Sequence, residues 1–217
     1  MKLYLVRHGQ SVGNENGNVQ GRKRDIDGGL SGLGKRQAAL VAARLAEAGL
    51  TVLYSSPLPR ATETAQFIAD ACELQIEKRD WLVELSYGEL EGRPQAETRR
   101  LYPGVYDPRW RQNNDIPGGE SRSSCYARAR AGIDELTAAH DGAETACLVT
   151  HGEFLSRLVD ALLGMPEAGF PRFTVDNSSV THLIRSPAGS DGLWICRYVG
   201  DTSHLRGLDS PAGRNGW

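Results

Sequence analysis

Two short segments carry residue types from which phosphoryl chemistry can be built. Leu5-Val6-Arg7-His8-Gly9 and Leu148-Val149-Thr150-His151-Gly152 each run an apolar stretch of strand type into a His-Gly turn. If both strands are parallel in one sheet, both imidazoles emerge at its carboxyl edge, where open α/β sheets bind ligands. Adjacent or near-adjacent strands then bring the rings within reach of one bound group. Arg7 beside His8, and Arg60 at a loop-to-helix junction after a strand, add cations whose guanidinium forks offer paired donors to phosphate oxygens. Taken singly, each histidine can merely cap a strand and each arginine can be solvated charge. The duplication points to an anion pocket.

The elements that must position these residues follow from periodicity. Leu3–Val6, Thr51–Ser55 and Thr145–Val149 read as strands. Ser31 is an N-cap for a helix whose Leu33, Ala38, Val41, Leu45 and Ala48 share a face, with Gly49 as terminator. Arg60–Glu73, Glu120–His140 and Glu153–Leu163 read as further helices, and Val180–Ile184 with Leu193–Val199 as a terminal hairpin. This alternation predicts an α/β, three-layer sandwich with a mostly parallel central sheet flanked by helices. The polar segment 92–121, bearing Tyr102, Tyr106 and Trp110, is expected to form a small lid-like insertion within one domain spanning 1–217.

Composition narrows the function. Of 217 residues, 25 are Lys or Arg and 27 are Asp or Glu, a formal charge of −2, which argues against a nucleic-acid partner. The apolar run before Arg7 is too short for a signal peptide or a membrane span, so a cytoplasmic protein with no membrane partner is expected. Cys72, Cys125, Cys147 and Cys196 form no C-x-x-C pair, which favours reduced thiols over a zinc site. The chain lacks a G-x-x-x-x-G-K-[ST] loop, a G-x-G-x-x-G turn after a strand and an H-E-x-x-H helix. Phosphoryl chemistry here is expected to use protein cations, with no metal and no cofactor.

At this point the residues resemble a family. Leu5-Val6-Arg7-His8-Gly9-Gln10-Ser11 followed by Asn14 is similar to the signature of the histidine phosphatase superfamily, the phosphoglycerate mutase-like proteins. The resemblance continues in order through Leu30-Ser31-x-x-Gly34-x-x-Gln37-Ala38, Ser56-x-Leu58-x-Arg60-Ala61-x-x-Thr64-Ala65 and Glu84-x-x-x-Gly88-x-x-Glu91-Gly92. It closes with Pro117-Gly118-Gly119-Glu120-Ser121, Thr150-His151-Gly152 and Asn177-x-Ser179. It implies His8 as the nucleophile, Arg7, Arg60 and His151 as holders of the non-bridging oxygens, and Asn14 as a further hydrogen-bond donor. Glu84 would be the acid that protonates the departing alkoxide, with Glu89 and Glu91 as nearby competitors. Gln20, Gly21 and Gly152 complete the implied substrate contacts.

Three functions remain open on the sequence. The first is a phosphomonoesterase acting on a small phosphorylated organic substrate. The second is a cofactor-dependent phosphoglycerate mutase; members of that kind tend to carry E-R-x-Y-G and A-H-G-N, where this chain has Glu84-Leu85-Ser86-Tyr87-Gly88 and Thr150-His151-Gly152-Glu153. The third is a non-catalytic phosphate binder on the same fold. Loop 20–30 is about three residues longer than the usual family spacing. Arg22, Lys23, Arg24, Arg93, Arg99, Arg100, Arg109 and Arg111 are either solvated charge or a second anion site. His140, His182 and His204 read as structural. The oligomeric state, a homodimer included, is left open.

Overall fold

The computed structural model describes residues 1–106, 117–140, 142, 144–167, 172–186 and 192–208. In chain order its main elements are β1 (Lys2–Arg7), α1 (Val12–Glu15), α2 (Gly32–Ala46), β2 (Val52–Ser55), α3 (Pro59–Cys72), β3 (Ile76–Lys78), α4 (Gln95–Leu101) and α5 (Pro103–Tyr106). α6 (Arg122–Ala139), β4 (Thr145–Thr150), α7 (Gly152–Leu162), β5 (Val180–Arg185) and β6 (Trp194–Asp201) follow. The strands form one sheet in the order β3-β2-β4-β1-β5-β6. β3, β2, β4 and β1 run parallel, while β5 and β6 return antiparallel as the expected hairpin.

Strand alternation divides the interior in two. Leu3 and Leu5 of β1 and Ala146 and Leu148 of β4 face Phe154, Leu155 and Leu158 of α7 and Cys125 and Ala129 of α6. Val6, Cys147 and Val149 point the other way, onto Val41 and Leu45 of α2 and Ala61, Ala65 and Ile68 of α3. This is the three-layer sandwich read from the sequence. All four cysteines are free thiols.

Local chemistry sets the ends that matter. Ser31 Oγ accepts from Gly34 N–H and caps α2, and Ser121 does the same for α6 from Ser124 N–H. β3 and α4 are additions to the sequence reading. β3 has three residues, of which only Ile76 is partly buried, so it carries no legible alternation. In the 92–121 segment Tyr102 packs against the cluster of Val19, Leu90 and Val105 and so anchors α5 to the body. Arg109, Trp110 and Arg111, and the side chain of Tyr106, lie outside the described residues. Among the described residues no helix is long and apolar enough to cross a membrane.

Candidate active site

β1 and β4 are neighbours in register, with Arg7 opposite Thr150, so His8 and His151 stand side by side one residue beyond the strand ends. Their ring centroids are 5.1 Å apart. His8 follows β1 into a tight turn: a Cβ on Gly9 would sit 2.6 Å from the Gly34 carbonyl oxygen, so only glycine lets this turn rest on the start of α2. His151 is the extended N-cap residue of α7.

The environment of His8 settles its tautomer. Nδ1 lies 2.7 Å from the Gly9 carbonyl oxygen, which can only accept, so Nδ1 carries the proton and Nε2 presents a lone pair. Burial, then the Arg60 and Arg7 charges, push its pKa well below the ordinary imidazole value of 6.5. It is a neutral base at physiological pH. His151 is 0% exposed and is likewise held neutral by burial and by Arg60. Ser56 Oγ sits 2.8 Å from its Nε2 and also accepts from Leu58 N–H. The other ring nitrogen of His151, Nδ1, has no partner among the described residues.

Beside the imidazoles is a cavity of about 460 Å³ lined by Arg7, His8, Asn14, Gln20, Arg60, Glu84, Gly152 and Glu153, among others. Its size is that of a small-molecule site. Arg7 Nη1 donates to Val175 O at 2.6 Å while its Nε has no partner among the described residues. Arg60, 1% exposed in the first turn of α3, aims Nε at His8 Nε2, 3.2 Å away. Asn14 Oδ1 accepts from Ser11 N–H and from Asn177 Nδ2, both at 3.2 Å, which leaves the Asn14 amide group as a donor toward an anion. Gln20 Nε2 donates to Ser11 Oγ at 2.7 Å. Gly21 does not line the cavity; its carbonyl accepts from Arg60 Nη2 at 2.9 Å. His151 is likewise not among the lining residues, although its ring stands beside that of His8, centroids 5.1 Å apart.

Glu84 reaches the same cavity from the segment after β3. Thr150 Oγ1 donates to Leu82 O at 2.6 Å, and Arg128 Nη1 donates to Trp81 O and Val83 O at 2.6 and 2.8 Å, so this segment is stitched across the carboxyl edge of the sheet. The Glu84 carboxylate accepts from Leu85 N–H and Phe154 N–H at 2.9 Å and from Glu153 N–H at 3.2 Å, which seats it on the amino end of α7. Burial raises its pKa, and the Glu153 charge adds to the rise against the opposing pull of the amide donors. The competitors are eliminated by position. Glu91 is consumed by donors from Arg22 N–H, Lys23 N–H, Tyr87 N–H and Ser86 Oγ, and Glu89 is exposed.

This arrangement meets a family match. A model of the histidine phosphatase superfamily (branch 1) matches residues 3–195. The chain belongs to that superfamily. Among relatives of this chain, a probable phosphoglycerate mutase from Yersinia enterocolitica is 36% identical over 221 residues, covering 98% of this chain and 97% of the relative. Among solved structures, a mycobacterial glucosyl-3-phosphoglycerate phosphatase superposes with a TM-score of 0.80 at 29% identity, over 91% of this chain and 97% of that one. A phosphoserine phosphatase from Entamoeba histolytica gives 0.77 at 25%, over 94% and 98%.

Several supporting residues escaped the sequence reading. Asn177 Nδ2 donates to the His8 carbonyl at 3.0 Å as well as to Asn14, and Ser178, at a left-handed φ of 55°, donates its N–H to the carbonyls of Arg7 and His8. Ser56 orients His151, and Asp27 pairs with Arg60 at 2.5 Å. The signal for Asn177 was its place in the Asn177-x-Ser179 match; Asp27 had none beyond its charge. His204 donates from Nε2 to Ser178 O at 2.9 Å, a structural role as expected.

Proposed function

We propose that this histidine phosphatase is a phosphomonoesterase that hydrolyses a small phosphorylated metabolite through a phosphohistidine on His8. The observation that carries this reading is the buried, neutral His8 with Nδ1–H tied to Gly9 O, its Nε2 lone pair facing Arg60 Nε at 3.2 Å, and Arg7 and an acid of raised pKa lining the same cavity. In the first half-reaction Nε2 attacks phosphorus and the P–O ester bond breaks. The Glu84 proton passes to the departing alkoxide. Positive charge developing on the imidazole is met at Nδ1–H by the Gly9 carbonyl. In the second, Glu84 carboxylate takes a proton from water, the water oxygen attacks phosphorus, and the P–N bond breaks to free His8 and orthophosphate. Arg7, Arg60 and Asn14 hold the non-bridging oxygens from the cavity lining, with His151 beside His8 as a further donor, and a loose phosphoryl transition state needs little beyond such placed charge. No metal takes part in this scheme.

The relatives named as mutases make mutase activity the second reading. Two positions favour hydrolysis. Leu85, where the mutase pattern has arginine, is 0% exposed in the core and presents nothing to a second anion. Glu153, where that pattern has asparagine, is bound into a buried ion network with Arg157 at 2.8 Å and Arg122 at 3.4 Å. The test is phosphate release from a panel of phosphorylated metabolites, with His8→Ala as blank, run beside conversion of 3- to 2-phosphoglycerate. Hydrolysis by the wild type alone supports the proposal; isomerisation outrunning hydrolysis selects the mutase, and binding without turnover selects a phosphate-binding protein.

A further inference from the structure

The long loop between Gln20 and Leu30 reads from sequence as solvated charge or a second anion site, and its tip is exposed at Lys23, Arg24, Asp25 and Ile26. Its two ends are not. On one side Arg22 donates from Nε to the Glu84 carbonyl at 2.7 Å and pairs through Nη2 with Glu120 at 2.5 Å. On the other, the Asp27 side chain is 1% exposed and its Oδ2 lies 2.5 Å from Arg60 Nη1. Asp27 Oδ1 accepts from Gly29 N–H at 3.1 Å, and Glu63 of α3 accepts from Leu30 N–H at 3.0 Å, so the loop is tied to the helix that carries Arg60.

Arg60 is a long side chain with four rotatable bonds and a buried charge. Its five N–H donors are divided by three neighbours: Nε goes to His8, Nη2 to the Gly21 carbonyl and Nη1 to Asp27. One N–H remains on each Nη. Two of the three neighbours come from this loop. Asp27 does not line the cavity, so its carboxylate holds one end of the fork, at Nη1, without occupying the place of the phosphoryl group. A carboxylate there fixes the plane of the fork and balances its charge without obstructing the face turned to His8.

We propose that Asp27 is a positioning residue for phosphate capture: it locks the Arg60 guanidinium in the orientation that meets the phosphoryl oxygens beside His8. The loop thereby joins the acid, through Arg22, to the anion clamp, through Asp27. The proposal rests on the reading of the cavity as a phosphate site and not on His8 becoming phosphorylated.

The experiment is equilibrium binding of inorganic phosphate by calorimetry to the full chain and its Asp27→Ala and Asp27→Asn variants, with a thermal melt of each. The alanine variant is expected to raise Kd roughly 10- to 100-fold, the range for losing one charge-assisted hydrogen bond. The asparagine variant keeps an oxygen acceptor in place and should stay within about 5-fold of wild type, less than one ordinary hydrogen bond's worth of change. If the alanine variant does not fold, Asp27→Ser, whose hydroxyl cannot span the gap, takes its place with the same expectation. A lowered melting temperature with unchanged phosphate Kd would reduce Asp27 to a loop anchor. Tighter phosphate binding in the alanine variant would make it a competitor for Arg60, and either result overturns the proposal. Phosphate binding to His8→Ala keeps the two readings apart, since this equilibrium needs no turnover.

Discussion

Glu84→Gln separates the acid from everything else the site does. Gln can accept from Leu85 and Phe154 N–H through one oxygen as Glu does at 2.9 Å, but its NH2 then faces Glu153 N–H, and the 3.2 Å hydrogen bond is lost. That costs about 1–2 kcal/mol of stability and leaves the fold intact. The chemical loss is larger and depends on the leaving group. A positioned acid contributes roughly 10²- to 10⁴-fold when an alkoxide must depart, about 3–5 kcal/mol of barrier. A nitrophenolate leaves without a proton. The assay is kcat/KM for an alkyl phosphate and for nitrophenyl phosphate, a parameter that covers steps only through phosphoryl transfer and so excludes the hydrolytic half. The variant should lose roughly 10³-fold on the alkyl ester and under about tenfold on the aryl ester. Because burial raises the Glu84 pKa, its acid form persists above the usual carboxylate range, and the alkyl-ester profile should fall on the alkaline side as that proton is lost. The acid limb should lie below 6.5, where His8 takes up its proton. Equal losses on both esters, or an unchanged alkaline limb in the variant, would refute the assignment.

Other expectations follow from packing and charge. Leu85→Arg, which copies the mutase pattern, should destabilise the fold by about 3–5 kcal/mol in urea titrations, because Leu85 is fully buried among apolar side chains and the new charge would lose its water; it should not confer mutase activity. Gly9→Ala should lower kcat/KM by roughly 10²-fold with a smaller effect on melting, since the new Cβ must move away from Gly34 O and carry His8 with it. His8 and His151 are neutral in the fold with lowered pKa values, so they contribute stability above about pH 6.5 that is lost as pH falls through the folded values. His8→Gln should therefore flatten the loss of stability below pH 6.5 by about 1.4 kcal/mol per pH unit in denaturant titrations at stepped pH. Incubation with a chelator should leave phosphate release unchanged.

The sequence was most legible where one chain segment carries its own pattern. The two His-Gly turns repeat the same strand ending, and their pairing through β1 and β4 follows from parallel topology alone. Arg60 could be placed because it follows a strand and opens the helix whose face carries Ala61, Ala65 and Ile68. Illegible were residues whose function depends on a distant partner. Asp27 stands 33 positions from Arg60 and lies in a stretch of charge and glycine that looks like any solvated loop. Glu91 was weighed as an acid because nothing local shows that the amides of Arg22 and Lys23 converge on it. α4, in a segment rich in polar residues, has only Thr98 buried, so its helical period left no apolar stripe to find. Gly21 matched by position yet serves Arg60 rather than the cavity.

The central claim is a covalent phosphoryl group on His8 Nε2 during turnover. Its most direct measurement is intact and peptide mass spectrometry after rapid alkaline quench of enzyme mixed with a good aryl phosphate, since phosphohistidine survives base. The expected result is a mass increase of one phosphoryl group, located on the peptide bearing His8, appearing within one turnover and absent from His8→Ala. Hydrolysis proceeding at full rate with His8 unmodified, or a phosphoryl group trapped on any other residue, would contradict it.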